Sequence, residues 1–298
     1  MEVGFIGLGK MGYPLAKKLL QAGVKVIAWD HNEKVVAQFQ AAGGTGVDGP
    51  EKIAASLERK RAIWLMVPAG KAIDDILHTL TPTLDAGDVI IDGGNSFYKD
   101  SVRRAHKLVA KSIHFIDCGT SGGLSGAEEG ACLMVGGENE AIMHCEKVFK
   151  ILALENGYLH CGPAGSGHFV KMIHNGIEYG MMQAIGEGFD LMQHSRFDLD
   201  LKEIARLWSH GSVIRSWLMD LAGNALEKDP GMKSLQGVIQ HSGEGKWAAQ
   251  TALEFEIPAP VITHSLLARF SSLQSNSFGA RMVAALRKEF GGHDIIKS

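Results

Sequence analysis

The segment that decides the fold lies at the start of the chain and reads Val3-Gly4-Phe5-Ile6-Gly7-Leu8-Gly9-Lys10-Met11-Gly12. It opens with an apolar run typical of a buried strand, and a helical pattern at Pro14 to Gln21 follows it. The glycines between them suit a tight turn, close approach of a pyrophosphate to backbone N–H groups, and close packing of helix on strand. This order predicts a dinucleotide-binding unit. Its candidate cofactor contacts are Gly7, Leu8, Gly9, Met11 and Gly12.

A second strand candidate, Val24 to Trp29, runs into Asp30 about twenty residues after the glycine turn. An acidic side chain there can accept hydrogen bonds from a ribose 2′-hydroxyl and would repel a 2′-phosphate, so it predicts NAD rather than NADP. His31 is a further candidate cofactor contact. The alternative is a glycine-rich turn that binds no nucleotide, with an aspartate that only caps a helix. The sequential order of strand, turn, helix, strand and acid favours the nucleotide site.

Strand and helix patterns keep alternating through the first half of the chain. Helical patterns at Ala72 to Leu80 and Val102 to Lys111 separate short apolar runs of strand type. Such alternation predicts a parallel sheet covered by helices, that is, a Rossmann-like, doubly wound α/β domain. The further strand candidates are Ala62 to Val67, Val89 to Asp92, Ile113 to Cys118 and Cys132 to Val135.

Three of these strands run into loops suited to close ligand contact. Ligands of parallel sheets bind beyond the carboxyl ends of the strands, so the loops are expected to converge at one edge. Ordinary turn chemistry is the alternative for any one of them alone. Glycine gives backbone access, while Asn95 and Ser121 offer side-chain hydrogen bonds. The candidate contacts are Val67, Pro68 and Ala69 for the cofactor, Asn95 for cofactor and substrate, and Ser121, Gly122 and Gly123 for the substrate.

Near the middle of the chain, five polar side chains recur at helical spacing and form what we call the polar stripe: Lys171, His174, Asn175, Glu178 and Tyr179. On a helix they fall within about 140° of one another, and the rest of the circumference is mainly apolar. We therefore expect a buried helix whose polar seam lines a ligand site, because buried charges need partners or a ligand. A solvated face carrying a Lys171–Glu178 pair is the alternative.

Strand patterns nearly vanish after Gly162-Pro163-Ala164-Gly165, and helical periodicity continues to the C-terminus. We therefore predict a dinucleotide-binding domain of residues 1–163 and an all-α domain of residues 164–298 for substrate binding and oligomerisation. The predicted helices are Ser166 to His194, 200–209, 213–227, 246–255, 260–274 and 278–290.

Composition narrows the function classes. With 298 residues and 45% hydrophobic content the chain can bury the cores of two domains. A net charge of −3 argues against nucleic acid and anionic membranes as partners. The four cysteines show no C-x-x-C spacing, so neither a metal site nor a disulfide framework is predicted. The N-terminus runs straight into a strand and no apolar run has membrane-spanning length, which predicts a cytoplasmic protein.

Taken together, motifs spanning nearly the whole chain resemble those of the 6-phosphogluconate dehydrogenase family. The glycine turn is shared by many enzymes, whereas Asp-Gly-Gly-Asn-Ser at 92–96 and the motif containing the polar stripe are specific to this family among related β-hydroxyacid dehydrogenases. The chain lacks the additional helical repeat of the long-form enzymes, so it resembles the short form, which often prefers NAD. The remaining shared motifs are Ser121 to Gly123, Gly245-Lys246-Trp247 and Arg287-x-x-Phe290-Gly-Gly-His293.

The resemblance implies oxidative decarboxylation of 6-phosphogluconate, a small phosphorylated sugar acid, to ribulose 5-phosphate and CO2. Lys171 would be the general base at the C3 hydroxyl, and Glu178 would protonate C1 of the enediol. Substrate hydroxyls and carboxylate would be held by His174, Asn175, Asn95, Ser121 and Gly123, and the phosphate by Tyr179 and Arg269.

In the family, a C-terminal arginine and histidine enter the active site of a neighbouring subunit. By matching motif this implicates Arg287 and His293, and it implies a homo-oligomer, dimer or tetramer, with a shared active site. Without the Phe-Gly-Gly-His context, Arg287 would be interpreted as a solvated residue of a terminal helix.

The chain departs from the family pattern just before Gly-Lys-Trp. Long-form relatives have a lysine and a threonine there, near the phosphate, whereas this chain has Ser242 and Glu244. Either Glu244 turns away, or phosphate binding relies more on Arg269 and the tail, or the substrate differs. Two rival functions therefore stay open: a β-hydroxyacid dehydrogenase for a small unphosphorylated acid without decarboxylation, and a catalytically silent NAD-binding sensor.

Overall fold

The structure is a computed structural model that describes residues 1–296. The chain divides into two compact units, one formed by Met1–His174 and a second that begins at Asn175. This division falls inside one long helix, whereas the boundary expected near residue 163 lies at the turn that precedes that helix. No helix of the described part of the chain combines the length and apolar character needed to cross a membrane.

The first unit is built on an eight-stranded sheet in the order β3-β2-β1-β4-β5-β6-β7-β8. The chain order reverses beside β1, which is where doubly wound folds bind their ligands. The expected Rossmann-like fold is therefore confirmed. The strands are β1 Glu2–Ile6, β2 Lys25–Trp29, β3 Thr45–Gly46, β4 Ala62–Leu65, β5 Val89–Asp92, β6 His114–Ser121, β7 Ala131–Gly136 and β8 Ala153–Gly162.

Helices cover both faces of this sheet, so its central strands are buried on both sides. Val3, Phe5 and Trp64 belong to one apolar core, while Ile6 and Ile63 belong to the other. This explains why these strands read as continuous apolar runs instead of alternating ones. The helices are α1 Gly12–Gln21, α2 Glu33–Ala41, α3 Glu51–Ala55, α4 Lys71–Leu80, α5 Tyr98–Val109, α6 Gly123–Glu129 and α7 Asn139–Leu152.

The expectation of an entirely parallel sheet is wrong at one pair of strands. β6 and β7 run antiparallel, with Asp117 opposite Gly136 and Ser121 opposite Cys132. Only Gly122–Gly130 joins them, and a parallel crossover needs a dozen or more residues. The chain therefore returns beside β6 after the short helix α6.

Strand β8 is not among the strands expected from the sequence. Its middle reads Glu155-Asn156-Gly157, a polar stretch typical of a turn, and Asn156 has a positive φ of 61°. The β7–β8 register is shifted between Ala131 and Leu133, so this stretch forms an irregularity inside the pairing.

The second unit is helical, as expected. Helix α8, Ser166–Gln193, contributes its first part to the first unit and the remainder to the second. The largest difference from an expected boundary in this unit is at α10, which begins at Trp217 instead of 213, because Ser216 caps it by accepting a hydrogen bond from the Met219 N–H. The other helices are α9 Leu201–Trp208, α10 Trp217–Lys228, α11 Glu244–Glu254, α12 Pro260–Ser272 and α13 Phe278–Gly291.

Candidate functional site

The glycine turn after β1 has the geometry that a pyrophosphate site requires. Gly7 has a φ of 97°, and a Cβ at this position would overlap the carbonyl oxygen of Met66. A Cβ at Gly12 would overlap the carbonyl oxygen of Gly7, so α1 starts in direct contact with the turn. At Gly9, by contrast, a Cβ would meet nothing within 4 Å. The turn thus has a backbone surface open to a ligand at the N-terminus of α1, where N–H groups and the helix dipole favour an anion.

Asp30 ties the end of β2 to this turn. Its Oδ2 accepts a hydrogen bond from Leu8 N at 2.7 Å, and its Oδ1 accepts one from Asn32 N at 2.8 Å. The imidazole Nδ1 of His31 lies 3.2 Å from Oδ1, and this ring is largely exposed. A carboxylate has about four acceptor positions, so both oxygens keep capacity for ribose hydroxyls. The residues of the turn and Asp30 therefore fit a dinucleotide with an unsubstituted ribose.

The three loops expected to converge do so, since β4, β5 and β6 are neighbours in the sheet. The hydroxyl of Thr120 donates to the carbonyl oxygen of Gly93 at 3.3 Å. A Cβ at Gly94 would lie 3.1 Å from the carbonyl oxygen of Val67, so these two loops also approach closely. Ser121 is the last residue of β6 and not a loop residue. The geometry of the strand therefore fixes the direction of its side chain.

A buried arginine, Arg104 of α5, links two of these loops. Its Nη2 donates to the carbonyl oxygen of Gly70 at 3.0 Å, and its Nε donates to Asp74 Oδ1 at 2.9 Å. Its Nη1 lies 3.4 Å from Asp92 Oδ2, which also accepts the Ser96 hydroxyl at 2.7 Å. The arginine therefore holds the loop after β4 and the loop that carries Asn95 in one arrangement.

The start of α8 is fixed by a carboxylate from β6. Asp117, fully buried, accepts hydrogen bonds from Gly165 N at 2.6 Å and His168 N at 2.7 Å. Burial raises the pKa of the Asp117 carboxyl, and His168 together with the two backbone donors acts in the opposite direction. The His168 ring is held in turn, because its Nδ1 lies 2.7 Å from the Ser101 hydroxyl of α5.

Lys171 and His174 are the stripe residues that lie on β6. The Lys171 side chain lies so close to Gly119 that a Cβ there would overlap its Cβ and lie 2.9 Å from its Cγ. One turn further, His174 Nε2 is 3.1 Å from the Ser121 hydroxyl. The stem of Lys171 and the imidazole of His174 thus lie at the carboxyl end of β6, next to the convergent loops.

Replacing Gly119 with Ala is expected to lower stability by about 1–3 kcal/mol, the usual effect of overpacking. The added methyl group would push on the Lys171 stem, so kcat should fall as well. Urea denaturation and steady-state kinetics measure the two effects. Gly186→Ala on the same helix is the control, because a Cβ there meets nothing within 4 Å. Equal behaviour of the two variants would contradict the close contact.

Three of the five stripe residues are buried, but part of the apolar side of the same helix is exposed. Lys171 and Asn175 are 6% and 8% exposed, whereas Val170 and Ile177 are 39% and 52% exposed. The expectation of an apolar circumference buried all round is therefore wrong.

In the second unit, the structure brings Tyr179 and Arg269 together. The guanidinium carbon of Arg269 lies 3.6 Å from the centre of the Tyr179 ring, and its Nη1 donates to the carbonyl oxygen of Gln240 at 2.8 Å. Gly245 is required beside this pair, since a Cβ there would lie 2.5 Å from Tyr179 Cε2. The stacking leaves the planar fork of Arg269 in a fixed orientation, which suits recognition of an oxyanion.

The two residues that depart from the family pattern interact with each other. The Ser242 hydroxyl donates to Glu244 Oε2 at 2.5 Å, and Glu244 is buried at the first position of α11. A helix N-terminus stabilises an anionic side chain. These two interactions, both within the second unit, explain how a buried carboxylate is accommodated at position 244.

Arg287 and His293 lie at exposed positions on α13 and directly after it. No residue of α13 is buried, although Phe278, Met282 and Phe290 are large apolar residues on it. Among the described residues of the second unit, no hydrogen bond or ion pair joins Arg287 or His293 to Tyr179 or Arg269.

Two protein-family models match the chain. The family model of the NAD binding domain of 6-phosphogluconate dehydrogenase matches residues 2–162. The model of the C-terminal domain of the same enzyme matches residues 167–290. Together they cover nearly the whole chain.

Three relatives define the similarity further. The NAD(+)-dependent, decarboxylating 6-phosphogluconate dehydrogenase of Haloferax volcanii is 44% identical over 299 residues, covering 100% of this chain and 99% of that protein. The NADP(+)-dependent, decarboxylating enzyme of Bacillus subtilis is 38% identical, but the alignment covers 91% of this chain and only 61% of that longer protein. The solved Plasmodium falciparum 6-phosphogluconate dehydrogenase, studied as apo form and with NADP+ or 6-phosphogluconate, has a TM-score of 0.84 and 28% identity, covering 100% of this chain and 66% of that one. The chain belongs to the 6-phosphogluconate dehydrogenase family.

Proposed function

We propose that this protein oxidises and decarboxylates 6-phosphogluconate to ribulose 5-phosphate and CO2 with NAD as hydride acceptor. The observation that carries the proposal is the position of Lys171, buried against Gly119 and one turn before the Ser121–His174 contact, on the helix that also carries Glu178. The full-length similarity to the NAD(+)-dependent Haloferax volcanii enzyme supports the same reaction.

NAD is the cofactor that the first unit fits. The open backbone at Gly9 would face the pyrophosphate, and Asp30 would accept the ribose hydroxyls. His31, Val67, Pro68, Ala69 and Asn95 would provide further contacts. When bound, NAD supplies the nicotinamide carbon that accepts the hydride from C3 of the substrate.

Lys171 acts first in this proposal, as the general base. Its amine takes the proton of the C3 hydroxyl as C3 is oxidised, which requires the uncharged amine at the start. The Lys171 side chain is only 6% exposed. The protonated Lys171 then stabilises the enolate oxygen that develops when the β-keto acid loses CO2.

Glu178 completes the reaction as the general acid. It lies seven residues after Lys171, two turns along the same helix, and would protonate C1 of the enediol. One helix thus supplies base and acid. The proposed substrate contacts are Asn95, Ser121, Gly122, Gly123, His174 and Asn175 for hydroxyls and carboxylate, and Tyr179 and Arg269 for the phosphate.

We propose further that the protein is a homo-oligomer in which Arg287 and His293 of one subunit complete the site of another. Support comes from α13, on which no residue is buried and Phe278, Met282 and Phe290 are exposed. Burial of such a face against a second subunit would place the tail outside its own unit. A cytoplasmic location and a domain boundary near residue 163 complete the proposal.

Mixing two inactive variants tests the shared site. In a hetero-oligomer of Lys171→Met and Arg287→Ala subunits, one site receives both wild-type residues and the other receives neither. We expect activity to appear on co-refolding or co-expression, although each variant alone is nearly inactive. If mixed oligomers stay as inactive as the parents, each subunit supplies its own arginine and the shared site is excluded.

The proposed function is tested by kcat/KM for 6-phosphogluconate and for gluconate with each nicotinamide cofactor. We expect 6-phosphogluconate with NAD to give the highest value. Preference for gluconate would favour the rival β-hydroxyacid dehydrogenase, which has no use for Arg269. NAD binding without turnover of either acid would favour the silent sensor. Equal or better kcat/KM with NADP would refute the role of Asp30.

A further inference from the structure

One face of strand β6 contacts three successive turns at the start of α8. Asp117, Gly119 and Ser121 alternate along β6 and therefore point to the same side of the sheet. Their contacts on α8 are His168, Lys171 and His174, which are spaced three residues apart.

Both elements advance by a few ångströms between successive contacts. Two residues of a strand advance about 6.6 Å, and three residues of a helix advance about 4.5 Å. The first part of α8 thus runs along β6, and a single contact at its start decides which residues meet Gly119 and Ser121.

Asp117 is the contact that fixes the first turn. A helix begins with N–H groups that lack intrahelical acceptors, and Asp117 accepts from Gly165 N and His168 N with separate oxygens. A carboxylate bound to two N–H groups by two oxygens restricts both the shift and the rotation of the helix start. Such charge-assisted bonds are shorter and stronger than neutral ones.

Close backbone packing leaves the turn little other freedom. A Cβ at Gly167 would lie 2.5 Å from the carbonyl oxygens of Asp117 and Met134, so the first turn rests directly on β6 and β7. On its other side, the Ser101 hydroxyl holds the His168 ring at 2.7 Å.

We propose that Asp117 is a positioning residue for catalysis, which sets the register of α8 on β6 so that Lys171 lies over Gly119 and His174 reaches Ser121. This role rests on the proposed function, because the residue acts through Lys171 and not on the substrate. Ser101 supports it through His168.

Asp117→Asn tests the role. Its amide would present an NH2 group to one of the two N–H donors, so one hydrogen bond is lost and two donors face each other. We expect kcat to fall by about 10- to 100-fold, the effect of small misplacements of a catalytic group. The dissociation constant of NAD should stay unchanged, and hydrogen–deuterium exchange should become faster in a peptide covering residues 163–172.

Asp88→Asn is the matched control. Asp88 is equally buried, but it precedes β5 at the opposite edge of the sheet and holds Arg61. This variant should lose stability while kcat and exchange at residues 163–172 stay as in the wild type. If Asp117→Asn fails to fold, Ser101→Ala takes its place and should show a smaller change in the same two readouts.

Three outcomes would overturn the proposal. Faster exchange with unchanged kcat would show that the contact is structural only. Unchanged exchange would show that Asp117 does not hold the turn. A wild-type protein that does not turn over 6-phosphogluconate would remove the proposed function itself, and it is recognised before any variant is compared.

Discussion

Replacing Lys171 with Met is expected to lower kcat for NADH formation from 6-phosphogluconate by about 10²- to 10⁴-fold, the usual contribution of a general base. The Met side chain is one atom shorter but keeps the Cβ and Cγ atoms that pack against Gly119, and its thioether cannot take a proton. Binding of NAD should be unaffected, because the glycine turn and Asp30 are untouched. Stopped-flow measurement of NADH formation in the first turnover should show no rapid phase.

Lys150→Met provides the control for loss of a lysine. Lys150 lies on the surface of α7, where it pairs with Glu146 at 2.9 Å, and changes at such positions stay within about 0.5 kcal/mol. Its kinetics should match the wild type. A Lys171→Met protein that reduces NAD at nearly the wild-type rate would remove the lysine from the chemistry.

Glu178→Gln should reduce steady-state turnover by a similar factor of about 10²–10⁴ but with a different time course. The Gln amide has nearly the same shape as the Glu carboxyl group, but it cannot donate a proton to C1 of the enediol. Because this protonation follows hydride transfer, the first equivalent of NADH should still form rapidly, followed by slow turnover. The same stopped-flow experiment therefore separates the roles of the two residues of α8.

Glu187→Gln is the matched control for the second variant. Glu187 lies on the same helix at an exposed position and accepts a hydrogen bond from the Gln183 amide at 2.8 Å. It should show neither slow turnover nor a burst. If Glu178→Gln lacks the rapid first phase, Glu178 is needed before or during hydride transfer, and its assignment as terminal acid is wrong.

Local patterns were enough to predict most of the fold. Val3 to Gly12 specifies strand, turn and helix through apolar run, glycine spacing and helical periodicity, and each neighbouring element repeats that logic. Strand β8 was not predicted, because Glu155-Asn156-Gly157 has the composition of a turn. Only its pairing with β7 identifies this segment as a strand. The antiparallel direction of β7 was not predicted, because the length of the connection between β6 and β7 follows only from the observation that β6 ends at Ser121.

Candidate site residues could be predicted from the sequence where they belong to a local sequence pattern. The polar stripe, the glycine turn and Asp30 were identified as candidates in this way. Asp117 and Arg104 were not, because they act through residues 48 and 34 positions away in sequence, Gly165 and Gly70. The one available signal was that Asp117, Gly119 and Ser121 are alternate residues of β6 and therefore lie on the same face of the strand.

In the proposed reaction, oxidation at C3 and loss of C1 occur in one active site with NAD. This coupling is measured by incubating the protein with NAD and 6-phosphogluconate labelled with carbon-14 at C1, and by counting released CO2 against NADH formed. We predict one labelled CO2 for every NADH at all stages of the reaction. NADH formed without labelled CO2 would contradict this coupling and identify a dehydrogenase that leaves the carboxylate in place.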